Sequence, residues 1–131
     1  MSETTAEAGL RMRTAVMGEA YVQRSLETVT EFRRPLLELA TEYGWGAVWG
    51  REGLTLASRS LVTIAALAAR GHQGELKVHV RGAIRNGVTV DDLREAMLQI
   101  AVYCGVPAAA EALATIEEAL ADLEAEAGSV P

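Results

Sequence analysis

Cysteine is almost missing from this 131-residue chain. Cys104 stands alone, so no intrachain disulfide can form, which suits the cytoplasm. Aromatic residues are scarce as well, at 5% against 50% apolar overall, and alanine supplies much of the apolar share. Small side chains let helices approach closely but bury little area each. At roughly 25 cal/mol per Å² of buried apolar surface, a lone helical domain built this way is only modestly stable, which points to an oligomer. Lysine is nearly absent too: of the 12 basic residues, all but Lys77 are arginine. The planar guanidinium matches carboxylates, so anionic small molecules are candidate ligands, although a plain compositional bias explains the excess equally well. No run is apolar enough to span a bilayer; Leu61–Ala69 is the longest and is far too short. Met1–Glu7 is polar and acidic, unlike a signal peptide. The formal net charge of −6 repels phosphate backbones, so neither nucleic acid nor a membrane is an expected partner.

No stretch alternates as a strand does, and the punctuation is helical throughout, so the expected class is all-α. Residues 1–8 read as a disordered tail, and 9–127 as a single domain. Two short helical segments divide near Gly18. The next helix centres on Pro35–Tyr43, with Thr30 a candidate cap and Pro35 in or near the first turn. From Tyr43 to Gly53, four glycines and both tryptophans, Trp45 and Trp49, read as a loop or tight turn. Thr55 can cap a helix running to about Arg70 with Gly71 past its end; its apolar run from Leu61 predicts a helix buried all round. A helix from about Gln73 to Asn86 closes at Gly87. Thr89, with Asp92 at the capping-box position, opens the next, whose stripe is Leu93, Ala96, Met97, Ile100, Ala101 and Cys104. Gly105 ends it, and Pro107 suits the first turn of a last helix with Leu113, Ile116, Leu120 and Leu123 on one stripe. There is no metal-binding motif and no phosphate-cradling glycine loop, so neither metal nor cofactor is expected.

The chemistry-bearing segment is Glu75-Leu76-Lys77-Val78-His79. Glu75 and His79 are four apart and share a helix face with His72 and Gly82, while Leu76, Val80 and Ala83 point to the core. A carboxylate beside an imidazole is a plausible acid–base pair; a solvated surface pair has the same spacing. Arg59 and Arg51 could each clamp a substrate carboxylate, or serve as helix caps and surface ion pairs. Tyr103 could donate a phenolic hydrogen bond or simply pack. Trp45 and Trp49 could wall a pocket or plug the core. Cys104, on an apolar stripe, reads as a small core residue.

Taken together, these segments resemble the carboxymuconolactone decarboxylase family. The resemblance rests on Trp45-Gly46-Ala47-Val48-Trp49-Gly50-Arg51-Glu52-Gly53-Leu54, on Arg59-Ser60-Leu61-Val62-Thr63-Ile64-Ala65 and on Glu75-Leu76-Lys77-Val78-His79-Val80-Arg81. Asn86-Gly87-Val88-Thr89 and Tyr103-Cys104-Gly105-Val106-Pro107-Ala108-Ala109 complete it, and Arg13, Val16-Met17-Gly18 and Val22-Gln23-Arg24 extend it toward the N-terminus. It covers about residues 9 to 123. The resemblance implies an alkylhydroperoxidase-like (AhpD-like) bundle of six to seven helices, assembled into a ring as a trimer or hexamer. It implies cofactor-free decarboxylation of a small anionic lactone, a carboxymuconolactone, to an enol-lactone in the β-ketoadipate branch of aromatic catabolism. Glu75 and His79 become the leading catalytic candidates, with Arg51, Arg59, Trp49 and Tyr103 as substrate contacts. Relatives with dithiol peroxidase chemistry carry a Cys-x-x-Cys pair ahead of the histidine. Here His72 and Glu75 occupy those places, and the two thiols that chemistry needs are missing. Thr55-Leu56-Ala57-Ser58 and Ala108–Leu113 depart from the family pattern. A relative acting on another small molecule in secondary metabolism, or a non-catalytic binding homologue, would look similar.

Overall fold

A computed structural model describes residues 2–128. The described residues form α1 (Thr5–Met17), α2 (Glu19–Thr28), α3 (Arg34–Leu39), a π-helix (Ala40–Trp49), α4 (Leu56–Arg70), α5 (Gln73–Arg85), α6 (Val90–Cys104) and α7 (Val106–Gly128). No strand occurs among them, in agreement with the all-α class. The chain packs as two compact units, Met1–Leu56 and Ala57–Pro131.

In the first unit, order begins earlier than the composition suggests. The tail expected over residues 1–8 gives way to helix at Thr5. Thr4 Oγ1 accepts from the Glu7 amide at 3.1 Å and the Glu7 carboxylate accepts from the Thr4 amide, a capping box that satisfies two helix-end donors. Arg11 adds a two-pronged contact to Glu3 at 3.0 Å. Gly18, at φ 96°, divides α1 from α2 as its position suggested, because that dihedral is costly for any residue with a Cβ. Arg13 Nη2 donates to Ser25 Oγ at 2.9 Å and ties the two helices together. Pro35 lies in the first turn of α3, where its missing N–H costs nothing.

The Trp-Gly segment departs from expectation. The expected loop is instead the π-helix over Ala40–Trp49. Glycine density reads as a break when only local propensity is weighed. Here one of the glycines, Gly46, serves a contact with α1, and Gly9 answers it from the other side. A Cβ built on Gly9 would stand 2.0 Å from the Thr41 carbonyl oxygen, and one on Gly46 would stand 2.3 Å from that of Thr5. The two backbones therefore meet directly. The wider π turn also brings residues four apart nearly above one another. Trp45 and Trp49 accordingly stack, with ring centroids 4.7 Å apart and planes 24° apart.

The second unit holds the main core: Ile64 and Ala68 of α4; Leu76, Val80 and Ala83 of α5; Leu93 and Met97 of α6; and Ala112, Ile116 and Ala119 of α7. Leu76, Val80 and Ala83 face inward as the period predicts. Two expectations need correction. The apolar run of α4 is not buried all round: Ile64 and Ala68 are buried but Val62 is exposed, since only one face of the helix has neighbours. On α7 Ile116 is buried as expected, but the residues in line with it are Ala109, Ala112 and Ala119, and Leu113, Leu120 and Leu123 flank them half-buried. Small residues at the line of contact let the helix axes approach, and the leucines fill the sides. Thr89 and Asp92 form the expected capping box at 3.0 Å in each direction.

Helix α5 is held against α7 by polar links spaced one turn apart. Thr115 donates to Gln73 at 2.6 Å, Lys77 reaches Glu118 and Asp122 at 2.9 and 3.0 Å, and Arg81 bonds both carboxylate oxygens of Glu126 at 2.7 and 2.8 Å. The numbers rise together on both helices, so the two run parallel. Hydrogen bonds that the Lys77 ammonium donates to Glu118 and then Asp122 raise it above its ordinary pKa. A lysine raised on folding stabilises the fold below its unfolded value and loses that contribution as pH climbs past the raised one. The expected result is a thermal midpoint that falls above about pH 10 more steeply for the wild type than for Lys77→Met. Parallel melting curves for the two proteins across that range would remove Lys77 from the stability balance.

Candidate active site

Helix α5 builds the centre of the site. His72 is its N-cap, and Glu75 lies in the first turn, where a carboxylate is favoured by the exposed amide ends. Helical geometry then places His79 one turn further along the same face. His79 Nε2 stands 3.9 Å from Glu75 Oε2. That is ion-pair range for a protonated imidazole and too long for a hydrogen bond. A small rotation of the Glu75 side chain closes it, and catalytic contacts in unliganded sites are often loose in this way. The two members differ in shelter: the His79 side chain is 16% exposed and that of Glu75 67%. A sheltered imidazole with a wetter carboxylate behind it suits an acid and its orienting partner.

The other expected contacts are distributed. Arg59 is partly buried on α4, within the same unit as Glu75 and His79. Tyr103 closes α6 and is 78% exposed, so its ring does not pack into the core. Cys104 beside it is exposed as well, against the core position expected from the stripe, because the buried part of the α6 face ends before its last turn, where Val102 and Tyr103 are exposed too. Arg51 and Trp49 belong to the first unit; Arg51 is exposed, and Trp49 is buried in the stack with Trp45. Among the described residues no group of three or more His, Cys, Asp or Glu is arranged to hold a metal ion. No described helix is long and apolar enough to cross a membrane.

One polar pair escaped the sequence reading although both residues lie inside quoted motifs. Asn86 Nδ2 donates to Ser60 Oγ at 2.9 Å. The residues are 26 apart, and no spacing rule links them.

An all-helical chain with a Glu–His pair one turn apart near a helix N-terminus and a partly buried arginine on the preceding helix defines a small α-helical domain suited to acid–base work on anions. The chain belongs to the carboxymuconolactone decarboxylase family, which matches residues 34–118 and so includes α3 to most of α7. It is 44% identical over 115 residues to a 4-carboxymuconolactone decarboxylase of Acinetobacter baylyi, covering 88% of this chain and 86% of that protein. It is 43% identical over 117 residues to a nitrosuccinic acid decarboxylase of Metarhizium robertsii, covering 89% and 82%. An uncharacterised 15.0 kDa protein of Paracoccus denitrificans is 32% identical over 87 residues, 65% of each chain.

Proposed function

We propose that this chain is a cytoplasmic carboxy-lyase that converts 4-carboxymuconolactone to 3-oxoadipate enol-lactone without a cofactor. The observation that carries the reading is the Glu75–His79 pair on one face of α5, inside the stretch that matches the family. The substrate is a butenolide with two carboxylates. The carboxylate on the ring carbon leaves as carbon dioxide, and its electron pair moves through the ring double bond to the lactone carbonyl. The lactone is its own electron sink, so the protein has two tasks. It stabilises the dienolate oxygen, and it delivers a proton to the carbon beside the carbonyl. His79 donates that proton and Glu75 orients the imidazole. Arg59 holds the retained acetate carboxylate through a charge-assisted fork. Apolar walls favour release of neutral carbon dioxide. Tyr103 is a further candidate donor to the substrate.

A second reading is favoured by the nearly equal identity to a decarboxylase of another acid. There the same pair would serve a different small carboxylate, with the Thr55–Ser58 and Ala108–Leu113 departures setting the choice. A direct assay separates the two. Purified protein in chelator, given enzymatically generated 4-carboxymuconolactone, is expected to form the enol-lactone, and the Glu75→Gln, His79→Ala double variant to form none. Failure of well-folded wild-type protein to turn over this lactone while it decarboxylates nitrosuccinate would transfer the assignment to the second reading.

We also propose a homo-oligomer, a trimer or hexamer. Phe32, Leu36, Leu39 and Tyr43 form an exposed apolar stripe along α3 and the π-helix, and Leu98, Val102, Tyr103 and Val106 form another at the end of α6. Contiguous apolar surface of this kind marks a contact face. Sedimentation as a monomer at micromolar concentration would overturn it.

A further inference from the structure

We propose that Ser60 and Asn86 form a clasp that positions Arg59 relative to His79, and so sets how the retained carboxylate is held. The inference rests on the decarboxylase reading above and adds two positioning residues to it.

Helices α4 and α5 form a hairpin whose closed end is fixed by the turn at Gly71 and His72, where the His72 amide donates to the Leu67 carbonyl at 3.0 Å. The open end is held by the 2.9 Å bond from Asn86 Nδ2 to Ser60 Oγ. Ser60 is 2% exposed and is the buried polar side chain of this unit among the described residues. Apolar contacts between helices tolerate sliding and rotation. A hydrogen bond does not, since it weakens steeply with angle and distance. Arg59 directly precedes Ser60 on α4. Asn86 lies seven residues beyond His79, about two helical turns, and so continues the face that carries Glu75, His79 and Gly82. The clasp thus joins the residue beside the proposed carboxylate clamp to the face that bears the proposed acid. Each residue of rotation in a helix turns its side chains by about 100°, so a modest slip of α4 would carry Arg59 away from its station. Misplacement of a positioning group by about 1 Å can cost on the order of 10²-fold in rate.

The test is a double-mutant cycle in steady-state kinetics on the full chain. Arg59→Ala alone is expected to raise KM at least tenfold, as loss of a carboxylate clamp should. Ser60→Ala is expected to raise KM by about ten- to a hundredfold with a smaller change in kcat, because α5 and His79 keep their place. Adding Arg59→Ala to Ser60→Ala should then cost little more, since the clamp has already been displaced. Asn86→Asp, which can still accept from the Ser60 hydroxyl, should retain most of the wild-type KM, whereas Asn86→Ala, which cannot bond to Ser60, should raise it and carries the cycle if Ser60→Ala does not fold. Equal Arg59→Ala penalties in both backgrounds would reduce the clasp to a stability element and overturn the proposal while the decarboxylase reading stands. A wild-type protein without decarboxylase activity would overturn both.

Discussion

Replacing His79 by alanine should lower turnover of the lactone by about 10² to 10⁴-fold, the range that a positioned general acid contributes. At 1.36 kcal/mol per decade this is roughly 3 to 5 kcal/mol of transition-state stabilisation. The effect should fall on kcat and kcat/KM together, because proton delivery to the dienolate carbon occurs after substrate is bound. His79 is outside the core cluster of Leu76, Val80 and Ala83 but its imidazole is largely sheltered, so thermal melting of the variant is measured beside its kinetics to separate lost chemistry from lost fold. Glu75→Gln should cost less. Glutamine keeps the shape of the orienting group and one acceptor oxygen but loses the charge that favours the imidazolium. The difference in exposure between the two side chains orders these expectations, with the sheltered imidazole ahead of the wetter carboxylate. Stopped assays at saturating and limiting lactone measure both parameters. A loss below about tenfold for His79→Ala would remove the acid role from His79, since general acids rarely contribute so little.

The largest structural effect is expected at Gly46. A Cβ there meets the Thr5 carbonyl oxygen at 2.3 Å, and at Gly9 it meets that of Thr41 at 2.0 Å. Both obstacles are backbone atoms, so no rotamer change relieves them, and α1 must lift from the π-helix. Alanine is favoured over glycine within a helix by about 1 kcal/mol, which acts the other way. Overpacking against an immovable neighbour typically costs about 1–3 kcal/mol and sometimes more, so the clash should prevail. Gly46→Ala and Gly9→Ala are each expected to destabilise the first unit by about 1–2 kcal/mol after the propensity gain is subtracted. The stacked Trp45–Trp49 pair supplies a local signal in near-ultraviolet circular dichroism and fluorescence. Gly44→Ala is the control, because nothing lies within 4 Å of its Cβ position. It should leave the midpoint unchanged or raise it. Equal behaviour of the two substitutions at 44 and 46 would mean that α1 does not rest on this glycine.

The sequence by itself determined the features that depend on a few neighbouring residues. The helix ends at Gly18, Gly71, Gly87 and Gly105 are legible because each holds a positive φ that other residues avoid. The Thr89–Asp92 box is legible because its donors and acceptors lie three apart. The shared face of Glu75 and His79, and the core face of Leu76, Val80 and Ala83, follow from the helical period alone. What only the tertiary structure decided depends on residues far apart in the chain. The Trp-Gly segment is a π-helix and not a loop, and its Gly46 answers to Thr5 of α1, some 40 residues upstream, where backbone meets backbone. Cys104 is exposed although it sits on an apolar stripe, since periodicity names a face but not how far along it the neighbouring helices reach. Ser60 finds Asn86 across 26 residues, and a hydroxyl and an amide carry no label for each other until two helices bring them to 2.9 Å. Local dihedral and spacing rules are written in the chain; the matching of one surface to another is decided only where the surfaces meet.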